Sequence, residues 1–256
     1  MQQKNELNGL QPEVEKYCTI IPGKKKRFSL LPVSTQIAEV AMNAPVAIAM
    51  PFPLMQEDQA RADLYALIAR LLLVIPDAGL FDSLAAADAI ACEQTDNPLD
   101  LAWEKLVLTA SIMDVAAARH EFNDLFISIS VPKINPYRSL YLTGFINEKP
   151  LAVLRTELAR LGLARVAGTG EMEDHLGALC ETMRLLITGE QGASRQPIAC
   201  QKQFFETNIG PWHGRCLDDI RTADGANFYQ VVADFAQAFF SIEAEAFEIE
   251  EASFGD

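Results

Sequence analysis

From Gln56 onward apolar side chains recur every three or four residues, and this spacing most constrains what the chain can fold into. The stretch RADLYALIARLLLVIPD places Leu64, Tyr65, Leu67, Ile68, Leu71, Leu72 and Ile75 at helical intervals before Pro76 ends the run. A half-buried strand would instead alternate with a period of two.

The helical period returns along the chain. FDSLAAADAIAC predicts a short alanine-rich helix. NPLDLAWEKLVLTASIM predicts one that starts after a proline and turns Trp103, Leu106 and Val107 inward, and DVAAARHEFNDLFIS ends in Phe122, Leu125 and Phe126. Pro150 suits the first turn of LAVLRTELARLGL, since its missing N–H is not needed there. DHLGALCETMRLLI lines Leu176, Leu179, Cys180, Met183, Leu186 and Ile187 on one face. QKQFFETNIGPWHGRCLDDIRTA predicts helical turns on both sides of Pro211, and NFYQVVADFAQAFFSIEAEAF a final helix. The β-branched SISV is too short, and has no partner segment, to make a sheet. The expectation is an all-α protein, a single globular multi-helix domain of roughly eight to eleven helices.

That domain is expected over residues 56–243. Residues 1–55 are expected to be a disordered extension, with Met42 or Met50 as alternative natural starts, and residues 244–256 an acidic tail that frays over EIEEASFGD. KKKRFSLLPVSTQIAEVAMNAPVAIAMPF superficially follows an export-signal layout, but Pro32, Gln36, Glu39 and Asn43 interrupt its apolar part. No apolar run approaches the roughly 18 residues of a spanning helix, so no stable membrane insertion is expected.

The net charge is -14. Residues 1–41 hold six Lys/Arg against four Asp/Glu, so the acidity belongs to the body of the chain. This argues against nucleic acid, whose phosphates call for clustered cations, and suits a basic partner. Five cysteines without paired spacing predict reduced thiols and a cytoplasmic location.

Catalytic patterns are scarce. GTGE near Gly168 lacks the strand and lysine of a phosphate loop, and no serine stands in a nucleophile elbow. His213 and Cys216 share a helix face and could together touch a soft metal, but no second well-spaced pair completes a site. The reading is a protein that is not an enzyme, with no metal and no cofactor assigned.

Three segments carry a resemblance: HEFNDLFISISVPKINPYRSLYLTG, EMEDHLGALCETMRLLI and FFETNIGPWHGRCLDDI. Their order resembles that of the TorD/DmsD/NarJ group of maturation chaperones for molybdenum-containing redox enzymes. The family pattern runs Y-x-x-L-F, P-[WY]-x-S-x-Y-L, E-P-x-D-H and F-x-x-H-[LI]-x-P-W, and RADLYALIARLLLVIPD looks like its first helix. Met172 stands where the family has proline, Tyr137 where tryptophan is frequent, and Asn208 in place of a histidine.

The resemblance implies the TorD-like all-α fold. It also implies a cytosolic chaperone that binds the twin-arginine signal peptide of an apo-molybdoenzyme and aids cofactor insertion before export. Formate dehydrogenase is the favoured client; nitrate and sulfoxide reductases also fit. The chaperone is expected as a monomer or a segment-swapped dimer.

The expected peptide site comprises Asp174 and His175, from the family's Asp-His pair, with Glu171 beside them. Pro136, Tyr137, Ser139, Leu140 and Tyr141 come from the connector ISISVPKINPYRSLYLTGFINEKP, and Phe122, Leu125 and Phe126 from the helix before it. Asp174 would accept from an arginine or orient His175, and its charge reversal is expected to weaken leader binding with helical content intact. Against this stands a structural reading: Asp174 caps a helix, Ser139 caps the next turn, and the aromatic residues pack in the core. The rival functions are a general helical adaptor and a metal- or cofactor-handling accessory protein for an oxidoreductase.

Overall fold

The computed structural model describes residues 54–87, 97–127, 131–165, 171–190 and 193–254. Expectations for the first 53 residues, the two alternative starts among them, and for Cys92 lie outside the described residues.

Ten α-helices are present among them: α1 (Gln56–Leu73), α2 (Ala78–Ala85), α3 (Pro98–Ile112), α4 (Val115–Phe122), α5 (Arg138–Thr143), α6 (Lys149–Arg160), α7 (Leu176–Thr188), α8 (Ile198–Asn208), α9 (His213–Thr222) and α10 (Phe228–Phe254). A single π-helical turn, Asn123–Ile127, continues α4. The described residues contain no strand, only an isolated antiparallel bridge between Tyr137 and His175. The all-α expectation holds.

Local chemistry starts several helices. Asp77, Asn97 and Asp114 each turn a side-chain oxygen onto a free N–H of the first turn, at 2.8 Å to Leu80, 2.9 Å to Leu99 and 3.1 Å to Ala116. Such a cap contributes about 1 kcal/mol.

α1 and α10 form the centre. α1 lies most extensively along α7, while α10 packs on α3, α9, α1 and α4. Tyr65, Ile68, Leu71 and Leu72 are buried in the same core as an aromatic stripe on α10, with Tyr65 edge-on to Phe239 at 4.8 Å between ring centroids. Each fully buried side chain of this size stabilises the fold by roughly 1.5–3 kcal/mol relative to exposure. α7 approaches α1 closely because Gly177 has no side chain; a Cβ there would lie 2.7 Å from Leu73 Cγ.

The final helix reaches Phe247 as its spacing predicts, where the ring is buried against Phe205 and the carbonyl accepts from Lys202 Nζ at 3.0 Å. α10 then continues to Phe254, into the acidic EIEEASFGD segment whose composition predicts fraying.

Two buried ionic arrangements tie distant elements. Arg61 forks onto Glu243 at 2.7 and 2.9 Å, and Glu243 also accepts from the Tyr65 hydroxyl at 2.9 Å. Glu121 of α4 accepts the free N–H groups of Phe228 and Tyr229 at 3.1 and 2.6 Å, capping α10 from another helix.

Candidate functional site

The connector and the acidic loop before α7 are clasped together. The Arg138 N–H donates to the Asp174 carbonyl at 2.9 Å, and the Leu176 N–H donates to the Pro136 carbonyl at 2.8 Å. These two bonds flank the bridge between Tyr137 and His175, whose rings meet edge to face at 5.1 Å. The connector's proline suits this register, because the Pro136 carbonyl is used and its missing N–H is not needed.

Asp174 is fully buried, and its Oδ2 accepts the Ser139 N–H at 2.9 Å in the first turn of α5. The carboxylate therefore caps a helix other than its own. Ser139 is the capped residue rather than the cap, and its hydroxyl and Asp174 Oδ1 are both buried without a protein partner. α5 is six residues long, too short to persist without such support. Gly144 ends it in the left-handed conformation at φ 85°, open to glycine without strain.

His175 is the N-cap of α7, where Nδ1 accepts the Gly177 N–H at 3.1 Å. This bond places the ring proton on Nε2. Burial lowers the imidazole to about 4, against the opposing charges of Glu171 and Asp174, so the ring is neutral near pH 7.

The remaining carboxylates of the loop are also engaged. The Tyr137 hydroxyl donates to Glu171 Oε2. Burial and this donation raise the phenol, which keeps its proton. Arg155 of α6 forks onto Glu173 at 3.0 and 2.9 Å.

A second anchor lies further along α5. Tyr141 stacks on Trp212 at 5.3 Å, its hydroxyl donates to Asp219 at 2.7 Å, and its carbonyl accepts from Arg215 at 2.8 Å. Trp212 in turn donates through Nε1 to the Asn208 carbonyl at 2.7 Å. Asn208, the residue in the position of the family's histidine, donates to Glu157 of α6 at 3.0 Å. Arg138 reaches the Pro150 carbonyl at 3.0 Å. The motifs thus hold one another and the start of α6.

Of the residues expected to form a peptide site, Phe122, Leu125, Pro136, Ser139, Asp174 and His175 are buried. Phe126 is partly buried against Tyr229. Glu171, Tyr137, Leu140 and Tyr141 retain partial exposure on the connector and acidic loop. Apolar surface that the site expectation omitted is exposed in the loop joining α5 to α6, where Phe145 is 68% and Ile146 38% accessible beside Leu142. The signal for it was the apolar pair after Gly144 in TGFIN.

The His213–Cys216 pair is otherwise committed. His213 Nδ1 lies 3.2 and 3.1 Å from the Ile209 and Gly210 carbonyls, and burial pushes the Cys216 thiol up to about 12. No group of three or more His, Cys, Asp or Glu among the described residues is arranged to hold a metal ion. No helix among them is long and apolar enough to cross a membrane.

The described residues thus form an all-helical domain whose connector is clasped to an acidic loop, with apolar side chains left in the open. The family model described as nitrate reductase delta subunit matches residues 92–218, a span that holds the connector, the acidic loop and Trp212. The chaperone protein TorD of Shewanella loihica (strain ATCC BAA-1088 / PV-4) is 25% identical, with 74% of this chain and 93% of that protein covered. A solved structure described as a redox enzyme maturation protein from Archaeoglobus fulgidus matches with a TM-score of 0.47 at 19% identity, covering 71% of this chain and 92% of that one. By these matches the chain is similar to the TorD/NarJ family of chaperones.

Proposed function

We propose that this protein is a cytoplasmic maturation chaperone that holds the arginine-bearing leader of an apo-oxidoreductase and acts by binding rather than turnover. The client class is a molybdenum-containing enzyme, and a formate dehydrogenase is the first to test. Similarity to the TorD/NarJ chaperones supports the chaperone role.

One observation supports the leader-binding role most directly: Leu142, Phe145 and Ile146 stand exposed at the C-terminal end of a helix whose N-terminal end is clasped to the loop bearing Glu171 and Glu173. A leader with arginines followed by an apolar run would lay guanidinium groups on the carboxylates and the run on the apolar loop. The six-residue helix rises about 9 Å. That distance corresponds to about three extended peptide residues. The acidic body would speed the encounter with a cationic segment.

Calorimetry with a synthetic peptide carrying an arginine pair and an apolar run tests the reading. Binding is expected to weaken when both arginines become glutamine, and in the Glu171→Gln/Glu173→Gln protein. Equal affinity for both peptides would overturn leader recognition. Affinity purification from the native cell is expected to recover the precursor of a molybdenum enzyme.

A further inference from the structure

The contact between Arg155 and Glu173 has the geometry that a leader arginine would need. Nε and Nη2 of Arg155 reach the two carboxylate oxygens at 3.0 and 2.9 Å, the bidentate fork that suits guanidinium and not ammonium. Glu173 is the more enclosed partner, its side chain 12% exposed against 51% for Arg155. The carboxylate is partly covered and also accepts its own backbone N–H, whereas the guanidinium reaches it from a half-exposed position. A second cation of the chain, Arg165, acts on the same place, with its charge felt by both Glu173 and Tyr137. Partial burial works to raise the Glu173 carboxyl, but the Arg155 bonds, the residue's own N–H and both arginine charges take it below the ordinary carboxylate range.

We propose that Arg155 is an internal stand-in for the leader, occupying Glu173 in the free protein so that an arginine leader binds by exchange. This rests on the leader-binding reading above. Exchange keeps the carboxylate paired throughout, and no uncompensated charge is left in a nearly enclosed position. The displaced Arg155 returns to water from a half-exposed position at small cost. Net affinity then depends on the difference between two similar forks, which leaves the leader releasable when the client matures. An arginine leader gains from the loss of Arg155, whereas a leader that does not engage Glu173 gains nothing.

The test is a mutant cycle read by calorimetry on the full chain with the synthetic arginine-pair peptide. Arg155→Gln is expected to tighten binding about two- to five-fold, the range an exposed ion pair corresponds to. In a Glu173→Gln background the same change is expected to have no effect. Arg119→Gln, which alters net charge equally at an exposed site on α4, controls for long-range attraction. The peptide with glutamines in place of arginines is expected not to distinguish Arg155→Gln from the parent. Thermal melting of Arg155→Gln should stay within about 2 °C of the parent, as for an exposed pair.

Unchanged or weaker binding by Arg155→Gln, or equal tightening by Arg119→Gln, would overturn the stand-in role. In that case a parent protein that still prefers arginine to glutamine peptide keeps the leader-binding reading intact. Loss of that preference in the parent would remove both.

Discussion

Asp174 and Ser139 are joined by a 2.9 Å hydrogen bond from backbone N–H to carboxylate, in an environment closed to solvent. The bond links the acidic loop to the first turn of α5, so it sets the position of the connector on which the candidate site is built.

Replacing Asp174 therefore acts first on stability. Asp174→Ala leaves the Ser139 N–H buried without an acceptor and is expected to cost about 2–3 kcal/mol in urea denaturation. Asp174→Asn, which keeps an acceptor oxygen, should cost about 1 kcal/mol. Asp174→Lys places a cation in the enclosed position and should lose more than about 3 kcal/mol, with reduced helicity by circular dichroism. Charge reversal that leaves helical content intact is expected at Glu171 or Glu173 instead.

His175 supplies a pH dependence with a defined sign. Its folded value of about 4 lies below the ordinary 6.5, so between these values the unfolded chain binds the extra proton. The stability contributed by the neutral ring is complete above pH 6.5 and is lost as pH falls through the window, by about 3 kcal/mol at its lower end. Urea midpoints measured between pH 7 and pH 4 should show it. His175→Asn keeps an oxygen for the Gly177 N–H, and its stability should fall less over the same range.

The apolar loop separates binding from folding. Phe145→Ser and Ile146→Ser alter exposed side chains and should change unfolding free energy by no more than about 0.5 kcal/mol. If Phe145 is covered by the apolar run of a leader, Phe145→Ser should weaken the peptide about five- to tenfold by calorimetry, equivalent to about 1–1.4 kcal/mol. Unaltered affinity would move the apolar contact elsewhere on the molecule.

Glu243 joins the long C-terminal helix to α1. Glu243→Gln removes the closer of the two carboxylates paired with the buried Arg61, leaving Asp58 at 3.3 Å, and is expected to destabilise by about 2–3 kcal/mol. The double change Arg61→Met/Glu243→Leu removes both charges and should recover much of that loss in thermal melts. A double variant as unstable as the single one would show that the fork itself, rather than the under-paired cation, carries the effect.

Much of the fold was legible along the chain because helix formation is a local matter. Intervals between Leu64 and Ile75 mark the inward face of α1, Asn97 and Pro98 mark the start of α3, and the aromatic spacing after Phe228 marks α10. Phe122, Leu125 and Phe126 were visible as an apolar cluster, but a cluster on a helix end reads equally as core or groove. Burial against Tyr229 distinguishes these outcomes, and Tyr229 stands 107 residues from Phe122. The π-turn and the continuation of α10 past Phe247 had no local signature, since both depend on neighbours in space.

By itself the sequence determined the helices, their inward faces and the resemblance that points to the chaperone family, because period, capping and motif order are written along the chain. Only the tertiary structure decided which carboxylates are available to a partner. Glu121 caps α10 and Asp174 caps α5 from positions 107 and 35 residues away, and Glu173, in the loop before α7, holds Arg155 of α6. A free backbone N–H at a helix end takes whatever acceptor the packing brings to it, and local sequence does not specify that acceptor.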